Sequence, residues 1–256
     1  MMKKDFGSIA KVCVLVLLAI FLCLVPACKK SSPESTDESS SKPSADTDTT
    51  VIKSAGPAEM VPIDIELPKP MFVGTPQDTR VPNLEKPLGK ERPPFLAPAG
   101  TTNAALEKSV ASSDEEPIIG EIEMITDGDK EAADGSYVEL GPFVQNITID
   151  LEATHEIYAI VLWHYHKQAR VYFDVIVQVA DDPDFITNVR TLFNNDIDNS
   201  AGIGVGEEMH YTETNEGRLI DAKGIKARYV RLYSNGNTSN DLNHYIEVEV
   251  YGKPVK

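Results

Sequence analysis

Three groups of side chains in this 256-residue chain combine residue types and spacings that could do chemistry. The first is Trp163-His164-Tyr165-His166-Lys167-Gln168-Ala169-Arg170, a short run carrying two imidazoles, an aromatic phenol and a guanidinium. Paired sugar hydroxyls are recognised by an aromatic face together with forked donors and acceptors, and His166 and Arg170 fit that need best. His164 and His166, at i and i+2, would share one face of an extended strand and could hold zinc, but two ligands without a third nearby make a poor zinc site. Trp163, the only tryptophan, ends an apolar stretch and reads as core before it reads as a stacking platform. The second group is two polar runs, Asn194 to Asn199 and Asn235 to His244. Their Asn195, Asp196, Asn235, Asn237 and His244 donate and accept hydrogen bonds and could complete a ligand pocket with His164, His166 and Arg170. Asn and Asp clusters also make turns by bonding their own backbone, which needs no ligand. The third is Asp127-Gly128-Asp129, two carboxylates about a glycine that permits a tight turn. Ca2+ takes about 6–8 oxygens, and such a turn can supply several of them; the alternative is a solvated Asp-Gly turn.

No catalytic constellation stands out: no nucleophile is paired with a base, and no two carboxylates are set apart in apolar surroundings for acid and base work. The expectation is a binding protein rather than an enzyme. Gly202-Ile203-Gly204-Val205-Gly206 neither opens a helix nor sits in a βαβ unit, so it reads as a hairpin or loop rather than a nucleotide site. A net charge of −16 argues against nucleic acid as a partner, because phosphate backbones need local positive charge.

These groups must be carried by something, and the chain divides by composition. Lys3 and Lys4, an apolar run from Val12 to Leu24, and Ala27 form the three parts of an export signal over residues 1–27; the run is short for a bilayer span, which needs about 20 apolar residues. Cys13 and Cys23 would leave with it, so Cys28 would be the sole thiol and no internal disulfide could form. Leu24-Val25-Pro26-Ala27-Cys28 resembles a lipoprotein signal with its lipobox, although Pro26 is unusual there; the resemblance implies lipidation at Cys28. Lys29 in place of aspartate implies a lipid-anchored position in the cell envelope, at the outer membrane of a cell that has one, facing periplasm or surface. Residues 28–57 are Ser, Thr, Asp, Glu, Lys and Pro with little to bury, a disordered tether with a root-mean-square reach of ~30 Å. Residues 58–101 alternate prolines with apolar pairs such as Ile63 and Ile65, and read either as an ordered, extended strap laid on a folded domain or as a semi-rigid spacer.

Residues 102–256 read as one all-β domain. Phe173, Val175, Val177 and Val179 alternate with Asp174 and Gln178, a period of two. The same pattern marks Ile147 to Leu151, Ile157 to Trp163, Val189 to Phe193, Tyr229 to Ser234 and Ile246 to Val250, with Gly, Asn and Asp clusters between. Short helical turns are expected near Pro183 to Ile186. Many short strands without long helical patterns predict a β-sandwich.

Asn103 to Ser113, Asp127-Gly128-Asp129, Ile147-Thr148-Ile149-Asp150-Leu151, Ala227-Arg228-Tyr229-Val230-Arg231-Leu232 and Ile246-Glu247-Val248-Glu249-Val250-Tyr251-Gly252 come in the order and spacing of discoidin, or coagulation factor 5/8 type C, domains, which the whole of 102–252 resembles. The resemblance implies an eight-stranded antiparallel jelly-roll sandwich of the galactose-binding-like kind, akin to family 32 carbohydrate-binding modules. It also implies structural calcium held by Asp127, Asp129, Glu247 and the carbonyls of Met124 and Ile246. Ala132 stands where a threonine is usual, so its carbonyl would have to replace a hydroxyl. Sugar-binding relatives place histidine and arginine in the loop that here holds His166 and Arg170. The expected role is a lipid-anchored carbohydrate-binding module; the alternatives are an assembly domain for an envelope protein partner, or an accessory subunit of a separate glycan-degrading enzyme.

Overall fold

The computed structural model describes residues 58–71 and 79–255. The expected signal segment, Cys28 and the tether to residue 57 lie outside the described residues. No described helix is long and apolar enough to cross a membrane.

Among the described residues eleven strands follow one another: β1 (Met60–Pro62), β2 (Leu96–Pro98), β3 (Thr102–Asn103), β4 (Val110–Ser112), β5 (Val138–Leu140), β6 (Gln145–Trp163), β7 (Ile176–Ala180), β8 (Arg190–Asn194), β9 (Arg218–Ser234), β10 (Asn243–Tyr245) and β11 (Glu247–Pro254). The main antiparallel sheet has the order β3-β11-β6-β9-β7-β8, with β4 also on β6, and β5 pairs with β10 as a small second sheet. Val138, Leu140 and Tyr245 of the small sheet join Ile147, Ile149, Ile160, Leu162, Val177, Val230 and Val248 in one core. This is the expected antiparallel all-β sandwich. In place of eight strands the domain has nine, β3 to β11.

The differences have physical reasons. Ile147–Leu151 and Ile157–Trp163 belong to one strand, β6, which keeps its pairing with β9 across register shifts at Asp150/His155 and Ile157/Ala159. Alternation across Tyr172 to Ala180 holds only from Val175 onward, because Asp174 adopts φ 50° and breaks the pleat. Phe173 therefore leaves the core face and meets the His210 ring edge-on at 5.7 Å. The one described helix is a 3-10 turn at Ile122–Thr126, not at Pro183 to Ile186, where the Asp182 carboxylate accepts the amides of Ile186 and Thr187 instead. Asn243 and His244, expected in a loop, sit in β10 opposite Leu140 and Glu139.

The segment from residue 58 lies on the sandwich. β1 and β2 pair with each other, Ile63, Ile65 and Phe95 pack on Ala159, Val161, Trp163 and Tyr251, and Ala132 and Tyr165 join the same cluster. Proline leaves few amides for a ladder, so side chains make most of the remaining attachments. Asn215 Nδ2 donates to the Pro68 carbonyl at 3.0 Å, Arg92 donates to the Gly217 carbonyl at 3.0 Å, and Arg218 pairs with Glu85 at 2.8 Å. Trp163 donates its indole N–H to the Asn215 carbonyl at 2.9 Å, so its only polar atom is satisfied inside the cluster. Gly217 is required beneath it: φ is +61°, and a Cβ there would stand 2.7 Å from the indole.

Candidate functional site

β6 delivers its last residue, Trp163, and the segment that follows turns inward. His164 is fully buried, stacks on Tyr172 with ring centroids 4.2 Å apart, and holds Glu213 at 2.7 Å from Nδ1, also fully buried. His166 is equally buried, 3.0 Å from the Lys130 carbonyl through Nε2. Because β11 pairs with β6 in the register Glu247↔Trp163, His244 arrives beside this segment from 74 residues beyond Arg170. His244 is 2% exposed and 2.9 Å from Glu139 Oε2. Burial, then the nearby Arg170 and His164, hold His244 down to about 3, so its ring is neutral near pH 7. Burial correspondingly pushes the Glu139 carboxyl up, with Arg170 partly opposing the shift.

Arg170 differs from these imidazoles. It is half-buried, with its guanidinium 4.7 Å over the Tyr165 ring, and Tyr165 packs against half-exposed Tyr137 at 4.9 Å. Its contacts are long: 3.5 Å to His244 Nε2 and 3.4 Å to Gln168 Oε1, with Nε buried and unpartnered. If His244 Nε2 donates to Glu139, no lone pair is left there to accept from Arg170. No described carboxylate lies within 4.0 Å of this guanidinium, whereas Arg218 is paired with Glu85 and Arg228 with Asp150 at 2.7 Å. The arrangement leaves a donor fork stacked on an aromatic patch with hydrogen-bonding capacity in hand.

The other residues expected at the pocket lie in a second cluster or serve turns. Fully buried Asn195 accepts the Val175 amide at 2.7 Å, and fully buried Asp196 accepts the amides of Ser200 at 3.1 Å and Ala201 at 3.0 Å. Half-buried Asn235 donates to Asp174 Oδ2 at 2.8 Å, where Ser200 Oγ also donates at 2.6 Å. Asn237 closes its own hairpin through Asn240 Oδ1 at 2.7 Å and the Leu242 carbonyl at 2.9 Å. Among the described residues, Asp174, Asp196 and Asp198 are the set of three metal-capable side chains whose ligand atoms fall within 4.8 Å of one another. Sequence reading missed it, since Asp174 is remote in sequence and is turned in by its positive φ. Asp174 Oδ2 and both Asp196 oxygens already accept from the donors just named, and Asp198 Oδ1 accepts the Ser200 amide at 3.1 Å.

At the Asp127 turn, Asp127 Oδ1 accepts the Asp129 amide at 2.8 Å and Asp129 Oδ1 accepts the Glu131 amide at 2.9 Å. Glu247 is fully buried; Oε2 accepts the Gly128 amide at 3.1 Å and Oε1 has no partner. Burial pushes its carboxyl up to about 9, and the Glu249 and Asp127 charges add to the shift. Ala132 is fully buried in the apolar cluster under the strap. A buried carboxylate with one unsatisfied oxygen beside two aspartates is a fitting ligand set for a hard cation, although the three carboxylates do not converge as closely as the Asp174 set.

Two cavities, of about 720 and 520 Å3, lie between strap and sandwich rather than at either polar cluster. The first is lined by Lys86, Lys90, Arg92, Arg218 and two glutamates, residues that sequence reading left in the strap or in unassigned loops.

No protein-family model matches the chain, and no curated protein matches it. Solved structures are similar over about three-fifths of its length. A fucose-binding module from Streptococcus pneumoniae shares 20% identity at a TM-score of 0.41, covering 59% of this chain and 97% of the module. Chitosan-binding module 1 of a chitosanase/glucanase from Paenibacillus sp. IK-5 shares 21% at 0.39, covering 59% and 99%. A family 89 glycoside hydrolase from Clostridium perfringens shares 16% at 0.43, covering 60% of this chain; this chain spans 15% of that enzyme.

Proposed function

We propose that residues 102–255 form a carbohydrate-binding module of a lipid-anchored envelope protein, without catalysis of its own. The observation that carries the reading is Arg170, a half-buried guanidinium laid on Tyr165 beside Tyr137 with no carboxylate partner. A sugar ring would stack on the exposed Tyr137 side of the patch while two hydroxyls take the Arg170 fork. His164, His166 and His244 do not touch ligand in this reading, because all three are buried; His244 supports the patch through Tyr137 and Tyr165, whereas His166 faces the Lys130 carbonyl. Ile63, Ile65 and Phe95 of the strap are packed on its own domain, whereas Met60, Leu67, Met71, Leu88 and Leu96 stay exposed, so the alternative of a protein partner would use those side chains and not the packed ones. A glycan array probed with the full chain should show saturable binding to a defined saccharide, lost in Arg170→Ala and kept in His166→Gln. Equal binding by the Arg170 variant overturns this site.

Two further parts of the reading have their own tests. Anchoring rests on Cys28, and Cys28→Ser should abolish incorporation of labelled lipid and release the protein from membranes. Calcium at the Asp127 turn would be held by Asp127, Asp129, Glu247, the carbonyls of Met124 and Ile246 and, at the substituted position, that of Ala132; when bound it supplies positive charge between the turn and β11. The chain's own contribution is the buried Glu247 Oε1, which no donor satisfies. A melting temperature that chelator lowers in the native chain, and leaves unchanged in Glu247→Gln, supports the site; indifference to chelator in both removes it.

A further inference from the structure

The groove of about 720 Å3 between the strap and the sandwich falls within the size range of small-ligand sites, about 300–1,000 Å3. Its charge runs against that of the whole chain. On a molecule of net charge −16, this one groove is lined by Lys86, Lys90, Arg92 and Arg218 against Glu85 and Glu216. Arg218 is committed to Glu85 at 2.8 Å, and Arg92 is fixed through its amide to Glu216 at 3.2 Å and its guanidinium to the Gly217 carbonyl at 3.0 Å. These bonds make a rigid wall. Lys86 and Lys90 are different: they are exposed on one rim, two residues either side of Leu88, which is 58% exposed. Neither takes part in an ion pair among the described residues. In the wall, the Tyr211 hydroxyl and Arg218 Nε are buried without a hydrogen-bond partner, a costly state for a polar atom unless something completes it.

We infer that this groove is a second binding site, for an acidic oligosaccharide whose uronate carboxylates face Lys86 and Lys90 and whose hydroxyls face the glutamates and threonines of the wall. The mixture of groups selects that chemistry. Free ammonium groups attract carboxylates, while Glu85 and Glu216 accept from hydroxyls, and Thr212 and Thr214 do both. An acidic peptide would bring the two glutamates only its widely spaced backbone amides in place of paired hydroxyls, while adding further carboxylates that they repel. The inference rests on the saccharide reading for the class of ligand and not on the Arg170 patch for its place.

The test is calorimetric titration of the full chain with an oligogalacturonate, its carboxyl-reduced counterpart and a poly-glutamate peptide, using the native protein, Lys86→Glu/Lys90→Glu and Arg170→Ala. Both lysines are exposed and unpaired, so the double variant should fold normally, checked by an unchanged melting temperature. The expected result is binding of oligogalacturonate that weakens at least ~10-fold in the double variant and on raising salt from about 50 to about 500 mM, and that survives Arg170→Ala. The carboxyl-reduced oligomer should bind at least ~10-fold more weakly than the acidic one. Acidic binding untouched by the lysine reversals, or absent altogether, overturns the groove site. If neutral glycans still bind through Arg170 in that case, the saccharide-binding function stands without it. Equal binding of poly-glutamate overturns the saccharide assignment.

Discussion

Ile160 and Leu162 point into the sandwich, while Ala159, Val161 and Trp163 of the same strand point under the strap. Both faces of β6 are sealed, by different means. The inner face is closed by Val138, Leu140 and Tyr245 of the β5–β10 sheet, whose amides and carbonyls are paired with each other, so burial and hydrogen bonding are satisfied together. The outer face is closed by a proline-rich segment with a three-residue ladder of its own, and it is held down by side chains such as Asn215 and Arg92 reaching to backbone carbonyls. A strand that would alternate apolar and polar residues in an ordinary antiparallel sheet is therefore apolar on both sides. The lesson is that the strap completes the domain: without it, Trp163 would face water.

Substitutions separate the two faces. Trp163→Ala should cost about 4 kcal/mol and render residues 58–71 and 79–101 sensitive to protease before the domain melts. If the strap stays resistant, the outer face does not depend on the indole. Leu162→Ala, one residue away on the inner face, should cost about 3 kcal/mol by thermal or denaturant unfolding while leaving the strap protected. Tyr251→Phe removes a hydroxyl lying 2.9 Å from Glu249 and 3.1 Å from the Asp64 carbonyl of the strap, and should cost about 1 kcal/mol. The smallest effect concerns pH. His210 joins the strap to the sandwich through backbone bonds to Asn83 and Glu85, its Nδ1 is buried without a partner, and burial lowers its ring's proton affinity while Asp174, Asp196 and Asp198 partly restore it. The unfolded chain thus binds the proton more readily. Stability from the neutral ring is complete above about pH 6.5 and is lost as pH falls below it. Melting curves at pH 7 and pH 5 should differ less in His210→Gln than in the native chain.

Much of the inner face was legible in the sequence. Val175, Val177 and Val179 alternate because every second side chain of a strand meets the same core, and Ile147 to Leu151 and the pair Val248 and Val250 were readable for the same reason, whereas Ile246 falls under the strap. The first half of β9 was not, because Lys223 and Gly224 look like a turn; both adopt positive φ inside a strand that continues past them. At the candidate site, residue types could suggest that His164, His166, Arg170 and His244 act near one another, and strand pairing is what sets His244 beside Arg170. Burial of the imidazoles was illegible, because it depends on Lys130, Glu213 and Glu139 arriving from elsewhere in the chain. The charged groove was illegible for a related reason. Half of it belongs to the strap, and only the folded chain sets Lys86 and Lys90 opposite Arg218.

The β1–β2 pairing has a mechanical consequence. Among the described residues β1 is the first element that a pull from the N-terminal side meets, and its three-residue ladder with β2 can open one bond at a time. β6, gripped by β9 on one side and β11 on the other, would have to shear two long ladders together. The strap thus works as a fuse in series with the sandwich: drawn out between its ends, the chain should show a small early extension at low force, with the sandwich rupturing only later.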